Sequence, residues 1–401
     1  MHMGQDRHSR SVLSGRGMDA TYSRMQEMYG LLPFTGDLRY KVKSIHSNQL
    51  LPGVHTMEQC NVIAIDLAKD IFQVCIMSAN GKIIFNKAMT RAKLKEWLAR
   101  QKLSLVAMES CGGAHYWARF AQSLGHKVMP IPPKQVKPFR TGQKTDANDA
   151  VAIAVACRAA NIKPARVLSI EQQSLQSIEK MRGMLDKQKL QISNQVRGLL
   201  LEFGIVINKS VKSFKVRIPE ILEDAENDLS FPMRSVLKKM WKLYSYLEGD
   251  FEAVSNELLQ LTEQDSDCQR LMKLEGVGPI TAVRLKIQLG NGEHFKSARQ
   301  VAACIGLTPK QHSSGGKVKL GSVGKVSCDK PLRSCIFLGA RAVVSKLKNR
   351  PAKTEKERWI KALIERRGVN CASMALANKT ARTAFALLKN NTDYTPKLIA
   401  A

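Results

Sequence analysis

Between residues 61 and 131 the chain carries short apolar runs in an order that strongly limits its fold. The run "NVIAID" predicts a buried strand, "IFQVCIM" a second, and "KIIFNKAM" a third, joined to the second by the turn sequence "SANGK". The helix "TRAKLKEWLARQ", the strand "SLVAMES", the helix "AHYWARFAQSLG" and the strand "HKVMPI" follow in turn. Hairpin-linked strands followed by alternating helices and strands predict an α/β domain built on one mixed sheet.

Four acidic residues stand at conspicuous places in this pattern. Asp66 interrupts the first strand, Glu109 ends the fourth, and Asp146 and Asp149 begin the helix "DANDAVAIAVA". In a ribonuclease-H-like mixed sheet the first and fourth strands are neighbours, and a helix packed beside them presents residues i and i+3 on one face. The four carboxylates are therefore expected to converge and to bind two Mg²⁺ ions, about 4 Å apart, that act on a phosphodiester.

Each acid also has a structural interpretation of its own. Asp146 could cap the helix, Asp149 could interact with the helix dipole, and Asp66 could be a strand residue with a satisfied hydrogen bond. A carboxylate within a buried strand is nevertheless unfavourable unless it is paired or bound to a cation. Because all four acids fit one site of one fold, we interpret them together as a metal site.

Beyond residue 165 the sequence pattern is mainly helical. Within residues 166–265, two long amphipathic segments predict a helical hairpin or coiled coil, used for self-association or simply as a spacer, with "GIVINKSVKSFKVRIPEILEDAENDLSFP" as the bend. The segment "LMKLEGVGPITAVRLKIQLG" is similar to a helix-hairpin-helix, whose turn can contact a phosphate through backbone N–H groups. A plain helix turn bounded by glycines would show the same pattern.

The charge and cysteine content restrict the partners and the compartment. The chain has 63 Lys and Arg against 34 Asp and Glu, a net charge of +29, and more than half of the excess follows Arg299. This predicts a nucleic acid partner, although part of the basic tail could be a solvated face.

Nine cysteines without a C-x-x-C pair argue against disulfides and zinc, and favour a reducing cytoplasm. No apolar run reaches about 18 residues, so no membrane partner is expected.

Several motifs together resemble one family. The segments "AIDLAKD", "AMESCGG" and "KTDANDA", followed by the coiled-coil pattern and "VAACIGLTPKQHSSGGKVKLGSVGK", resemble the DEDD transposases of insertion sequences (insertion sequence 110 family, 1111 group). The resemblance covers roughly residues 57–390. It implies a RuvC-like domain whose acidic tetrad holds Mg²⁺, a C-terminal serine domain, donor and target DNA, a structured guide (bridge) RNA, and a dimer that assembles into a tetramer. The implied tetrad is Asp66, Glu109, Asp146 and Asp149.

The resemblance also implies a serine nucleophile. In the family's T-P-x-x-x-x-S-G pattern the serine corresponds to Ser314 of "LTPKQHSSGG", and Ser313 is the neighbour with which it could be confused. Such a serine would join DNA through a phosphoserine linkage, next to the tetrad of another subunit. From the residues alone, a flexible basic loop without a covalent role would explain the same stretch. The lysines expected to neutralise phosphates are Lys310, Lys317, Lys319 and Lys325.

The predicted organisation has four parts. They are a disordered extension (residues 1–56, with Met57 as the natural start), a RuvC-like metal-binding domain (57–165), a coiled coil (166–265) and a mostly helical, basic serine transposase domain (266–401). The predicted function is RNA-guided excision and insertion of a mobile element by Mg²⁺-dependent strand exchange, in a bacterial cytoplasm at the nucleoid.

Two alternatives remain open at the level of sequence. The first is a junction-resolving nuclease in which metal-activated water attacks, leaving free 5′-phosphate ends. The second is a non-catalytic protein that coats RNA or DNA, which would tolerate the loss of Asp66 and Glu109.

Overall fold

A computed structural model describes residues 61–324 and 329–399 of the protein. The predictions for residues 1–56 and for Lys325 therefore lie outside the described residues. Among the helices of the described part, none is long and apolar enough to cross a membrane. Cys75, Cys157 and Cys268 are buried thiols.

The N-terminal part of the described chain is built on one five-stranded mixed sheet. Its strands are β1 Val62–Asp66, β2 Ile71–Met77, β3 Ile83–Thr90, β4 Leu105–Glu109 and β5 Lys127–Ile131. Its helices are α1 Arg91–Ala99, α2 Ala114–Ser123, α3 Pro133–Val136 and α4 Asp146–Ala156. The strand order is β3-β2-β1-β4-β5, with β1–β2 and β2–β3 antiparallel and β1–β4 and β4–β5 parallel. The predicted strands and mixed sheet are confirmed, and the order is compatible with a ribonuclease-H-like domain.

Helices cover both faces of this sheet, and the two-residue period of the strands decides which side chain meets which helix. Along β1, Val62 and Ala64 belong to the core formed with α4. Ile63 and Ile65 belong instead to the core that includes Leu94 of α1 and Trp117 of α2. The face covered by α4 is therefore the face toward which every second residue of β1 points.

Long helices follow the sheet. They are α5 Ile170–Leu201, α6 Val211–Glu223 and α7 Phe231–Gln264. Helices α5 and α7 pack on each other, as the predicted helical hairpin requires. The segment between them was predicted as a bend, and this is wrong in part because it contains α6. Helix α6 is capped by Ser210 and buries Phe214, Ile218 and Ile221 at helical spacing, against a core that includes Leu237 of α7.

The C-terminal part is mostly helical, as predicted, with one addition. Its elements are α8 Ser266–Met272, α9 Pro279–Leu289, α10 Ala298–Ile305, β6 Pro309–Ser314, β7 Lys317–Val323, α11 Lys330–Lys348 and α12 Glu355–Asn390. Helices α8 and α9 are separated by a glycine-containing turn, as both interpretations of this segment require, and the helix-hairpin-helix assignment stays a prediction. The stretch predicted as a basic loop is instead the hairpin of β6 and β7, joined at Gly315–Gly316. The predicted domain boundaries at residues 165 and 265 stay predictions.

Two glycines approach each other where the turn before α9 meets α11. A Cβ atom built on Gly339 would overlap the carbonyl oxygen of Gly276. The atoms it would meet belong to the backbone of Gly276 and cannot rotate away as a side chain can. We therefore expect Gly339→Ala to lower the free energy of unfolding by about 1–3 kcal/mol, despite the higher helix propensity of alanine.

Urea denaturation measures this effect, and the chain offers a matched control. Gly249 lies within α7, and a Cβ atom there would meet nothing within 4 Å. We expect Gly249→Ala to stabilise the protein by up to about 1 kcal/mol. Equal stabilities of the two variants would contradict the close approach of Gly276 and Gly339.

Candidate active site

Two of the four predicted acids lie side by side at the carboxyl ends of parallel strands. Ile65 of β1 pairs with Met108 of β4, so the next residues, Asp66 and Glu109, are neighbours across the two strands. By strand alternation, Asp66 shares the face of Ala64, and Glu109 shares the face of Ala107. Both alanines pack in the core formed with α4. The predicted adjacency of Asp66 and Glu109 is therefore found, on the face that α4 covers.

The other two acids lie in the first turn of α4. Thr145 is the N-cap, and its hydroxyl accepts a hydrogen bond from the backbone N–H of Asn148 at 3.3 Å. The interpretation of Asp146 as the helix cap is therefore wrong, because Thr145 fills that role. Asp149 forms an ion pair with Arg140, 3.4 Å from Nη1 to Oδ1. The carboxylates at the start of α4 are thus free of the capping role.

The electrostatics of the site show that the four acids influence one another. The pKa of Asp66 is raised to about 6, first by its partial burial and then by the charges of Asp149, Glu109 and Asp146, while Lys144 opposes the shift. The pKa of Glu109 is also raised, first by burial and then by Asp149, against the lowering effect of Arg140 and Lys144. Mutual repulsion of this kind requires the carboxylates to be close, and a bound cation would relieve it.

The four carboxylates are chemically suited to a hard divalent cation. Carboxylate oxygens are the ligands that Mg²⁺ and Mn²⁺ prefer. Among the described residues, no three His, Cys, Asp or Glu side chains are near enough to hold an ion as they stand. Holding an ion would therefore require movement of these side chains. Asp66, Glu109, Asp146 and Asp149 fit a metal in chemistry and placement, and their role stays a prediction.

A hydrogen-bonded relay fixes the start of α4 relative to the sheet. Gln73 lies opposite Asp66 on β2, and its Nε2 donates to Oδ1 of Asn86 on β3 at 2.6 Å. Nδ2 of Asn86 then donates to the carbonyl oxygen of Ala147, in the first turn of α4, at 3.1 Å. The relay connects the strand beside Asp66 to the helix turn that carries the other two acids.

Removal of this relay should weaken metal binding. We expect Asn86→Ala to lower the affinity for Mn²⁺ about tenfold or more, because residues that orient metal ligands have effects of this size. Isothermal titration of the purified protein with Mn²⁺ measures the change. Lys87→Ala, an exposed neighbour on the same strand, is the control. An unchanged Mn²⁺ affinity in Asn86→Ala would show that the relay does not position the acids.

The hairpin places the two candidate serines on opposite faces. Ser314 pairs with Lys317 and His312 pairs with Lys319, so these four residues share one face. Ser313 pairs with Val318 on the other face, and its hydroxyl accepts a hydrogen bond from Nε2 of Gln311 at 3.1 Å.

This arrangement favours Ser314 over Ser313 as a group that meets phosphate. Ser314 is paired with Lys317 and shares its face with Lys319, whereas Ser313 is paired with Val318. Of the other predicted lysines, Lys310 lies where the strand register shifts, and Lys325 is outside the described residues. In the part of the chain that the structure describes, no hydrogen bond or ion pair joins the hairpin to the four acids.

Several residues around the acids were not predicted from the sequence. Arg140 and Lys144 belong to the loop that directly precedes α4, and both act electrostatically on the acids. The basic charge of these two residues, close to the acids of "TDAND", could have indicated this electrostatic role. Gln73 and Asn86 gave no such signal, because their relay exists only after β2, β3 and α4 have packed. On the hairpin, the position of His312 beside Ser314 was also not visible in the sequence, because it depends on the strand pairing that puts both residues on one face.

Comparison with known proteins adds family information to this geometry. A family model for DEDD transposases of the IS110 kind, described as a transposase, matches residues 63–205. A second model, described as the IS116/IS110/IS902 transposase family, matches residues 268–356. The first range contains the four acids, and the second contains Ser314.

Similar full-length proteins carry corresponding names. The transposase for insertion sequence element IS1111A of Coxiella burnetii is 37% identical over 342 residues, 84% of this chain and 92% of that protein. A probable family 20 transposase of Pseudomonas aeruginosa is 37% identical over 336 residues, 83% and 98% of the two chains. The transposase for insertion sequence element IS1328 of Yersinia enterocolitica is 32% identical over 336 residues, 84% and 99%.

Proposed function

The chain belongs to the IS116/IS110/IS902 family of transposases, enzymes that act on DNA, and we propose that it exchanges DNA strands through a covalent link to Ser314, with Mg²⁺ held by its acids. The observation that carries this proposal is the convergence of Asp66 and Glu109, on parallel neighbouring strands, with the first turn of α4. Four interacting carboxylates at one end of a sheet are difficult to explain without a cation.

In the proposed reaction, the hydroxyl oxygen of Ser314 attacks the scissile phosphorus. A bond from this oxygen to phosphorus forms, the bond from phosphorus to the 3′ oxygen of the DNA breaks, and the proton lost by the serine is balanced, through solvent, by one that the leaving 3′ oxygen gains to become a hydroxyl. Asp66, Glu109, Asp146 and Asp149 would hold the ions, which when bound stabilise negative charge on the leaving oxygen. Lys317 and Lys319, on the face of Ser314, would neutralise the strand's phosphates.

The covalent route explains how strands can be rejoined without an external source of energy. A phosphoserine diester keeps the number of phosphodiester bonds constant, so a 3′-hydroxyl from another strand can reverse the step and seal the exchange. Water attack would instead leave a 5′-phosphate that cannot be rejoined without activation. The junction-resolving nuclease is thus the weaker alternative for a member of a transposase family.

We further propose that Ser314 acts on DNA beside the acids of another subunit. The hairpin carries exposed Val318 and Leu320 on the face opposite Ser314, and a two-stranded hairpin without a packing partner is only marginally stable. The helices α5 and α7 also expose apolar side chains, including Leu190, Leu243 and Tyr246. These surfaces support a dimer formed through the helical hairpin, assembling into a tetramer on DNA.

A guide RNA is the remaining part of the proposal. The net charge of +29 suits polyanionic partners, and a structured RNA is one that can bind beside DNA. Sequencing the RNA that co-purifies with the protein would identify such a guide. Recovery of only bulk cellular RNA, in proportion to its abundance, would argue against guidance.

A denaturing gel tests the chemical proposal. A substrate labelled on the strand that receives the protein should give a species of protein attached to DNA, which requires a divalent cation and is released by protease. The nuclease alternative predicts free 5′-phosphate ends and no attached protein. A non-catalytic binding protein would give neither product and would not depend on the cation.

A further inference from the structure

A large groove lies between α11 and α12, outside the acid site. Its lining includes Phe337 and Arg341 of α11 and Trp359, Lys379 and Arg382 of α12, and its volume is about 1300 Å³. We call it the α11–α12 groove. Its volume exceeds the roughly 300–1,000 Å³ of a typical small-molecule pocket, so an extended ligand suits it better.

The groove exists because α12 folds back on itself. Gly368 interrupts the helix with φ 78° and ψ 168°, a backbone conformation that side chains other than glycine rarely adopt. Trp359 and Lys379 are twenty residues apart and would lie about 30 Å apart along a straight helix. The ammonium group of Lys379 nevertheless lies 4.8 Å from the centre of the Trp359 ring. The two halves of α12 therefore run beside each other and form part of the groove's wall.

The lining combines mostly apolar side chains with three cations. Arg341, Lys379 and Arg382 are exposed cations, and no acidic residue is among the lining residues. Trp359 is 38% exposed, so part of this residue stays accessible to a ligand beside Lys379. Aromatic rings that stack bases, next to cations that follow the phosphates, are the combination by which proteins hold single strands.

The groove also adjoins the base of the hairpin that carries Ser314. Pro309, the first residue of β6, and Val323, the last of β7, both line it. Ser314 is five residues from Pro309 along an extended strand, a separation of roughly 17 Å, which matches about five steps of stacked bases. A strand attached at Ser314 can therefore reach the groove.

We infer that the α11–α12 groove binds unpaired DNA of the strand that Ser314 attacks, with a base stacked on Trp359 and phosphates contacted by Arg341 and Arg382. This inference rests on the proposed function, which puts a DNA strand at Ser314 and leaves DNA unpaired wherever a guide pairs with its complement. A small molecule would not fill the groove, and an apolar helix of another protein would offer no counter-charge to Arg341 and Arg382. Because the proposed reaction puts a DNA strand at Ser314, the short distance from Ser314 to the groove favours DNA over RNA as the ligand.

Anisotropy of labelled oligonucleotides tests the inference on the full chain in the Ser314→Ala background, which prevents covalent attachment. Trp359→Ala should weaken binding of a 20-nucleotide oligo(dT) roughly tenfold or more, and leave a duplex of the same length within about twofold. Trp359→Phe should keep the affinity within about threefold, since it retains a stacking ring. Tyr116→Ala removes an aromatic ring of similar exposure on α2 and is the matched control. A 5-bromouracil oligonucleotide should crosslink to the peptide that contains Trp359.

The results that would overturn the inference are distinct. An unchanged oligo(dT) affinity in Trp359→Ala, or an equal loss in Tyr116→Ala, would remove the groove as a DNA site. A loss for oligo(U) without one for oligo(dT) would assign the groove to RNA, and a changed sedimentation coefficient without DNA would assign it to protein contact. Covalent attachment of DNA to the unmodified protein, which retains Ser314, is measured separately. Its absence, with Trp359-dependent oligo(dT) binding retained, would refute the nucleophile and not the groove.

Discussion

Ser314→Ala is expected to abolish both the attached protein–DNA species and strand exchange, to at least about a thousandfold below the unmodified protein. The change removes the only oxygen that can form the phosphoserine bond, and alanine fits the exposed strand end without disturbing the hairpin. The measurement is a denaturing gel of a labelled substrate with Mg²⁺, together with amplification of the recombined junction. Binding of the substrate should be retained, since the neighbouring lysines are unchanged.

Ser313→Ala is the matched control for this prediction. Ser313 is the adjacent residue of the same strand, but it points to the face of Val318 and Gln311. We expect it to keep attachment and exchange within about threefold of the unmodified protein. If Ser313→Ala is inactive while Ser314→Ala works, the serines have been assigned the wrong way round. Activity in both variants would favour water as the nucleophile.

A mixing experiment then tests the proposed partnership of subunits. Ser314→Ala lacks the hydroxyl, and Asp149→Ala lacks an acid of the tetrad. If the hydroxyl and the acids come from different subunits, an assembly of the two inactive proteins contains complete sites, and exchange should return to a measurable fraction. If both come from one subunit, the mixture should stay inactive.

The sheet and the acid site could be predicted from the sequence because each follows from a local period. β1 and β4 are short apolar runs that the parallel pairing buries, and a carboxylate at the end of each is visible without knowing the packing. Alternation along β1 then decides the face of Asp66. The acids of α4 are equally visible, since they precede a run of Ala, Val and Ile that has to be buried.

The parts that the sequence did not predict depend on contacts between distant segments or on weak patterns. The hairpin around Ser314 is exposed on both faces, so it lacks the buried alternation that identifies a strand, and only the Gly-Gly turn signals it. The α11–α12 groove could not be predicted from the sequence, because the sequence around Gly368 is compatible with one continuous helix. The bend of α12 and the meeting of Trp359 with Lys379 become visible only in three dimensions.

Asp66→Asn is expected to abolish strand exchange while making the metal-free protein more stable. Loss of exchange, by at least about a thousandfold, follows from removing a carboxylate of the proposed ion site. The gain in stability follows from the raised pKa of Asp66, about 6 in the folded protein against an ordinary 3.8. Ionised Asp66 is unfavourable in the fold because it is buried and repelled by Asp149 and Glu109, whereas asparagine carries no charge.

The pH dependence gives the sign of this effect. A carboxylate whose pKa is raised by folding binds its proton more tightly when folded, so its contribution to stability is present below about pH 4 and lost as the pH rises through about 6. The metal-free unmodified protein should therefore lose about 1–2 kcal/mol between these values, after allowance for solvent screening. Asp66→Asn should not show this loss, and the two proteins should differ most above pH 7 and least near pH 4.

Thermal melts at pH 4 and pH 7.5, with and without Mg²⁺, separate the ion site from an ordinary buried acid. At pH 7.5 without metal, Asp66→Asn should melt several degrees above the unmodified protein. Added Mg²⁺ should stabilise the unmodified protein by mass action and should stabilise the variant much less. Asp70→Asn, an exposed acid four residues further along, should alter neither response. If Asp66→Asn were less stable than the unmodified protein at pH 7.5 without metal, Asp66 would be a structural partner rather than a strained ligand, and the proposed reaction centre would lose its first residue.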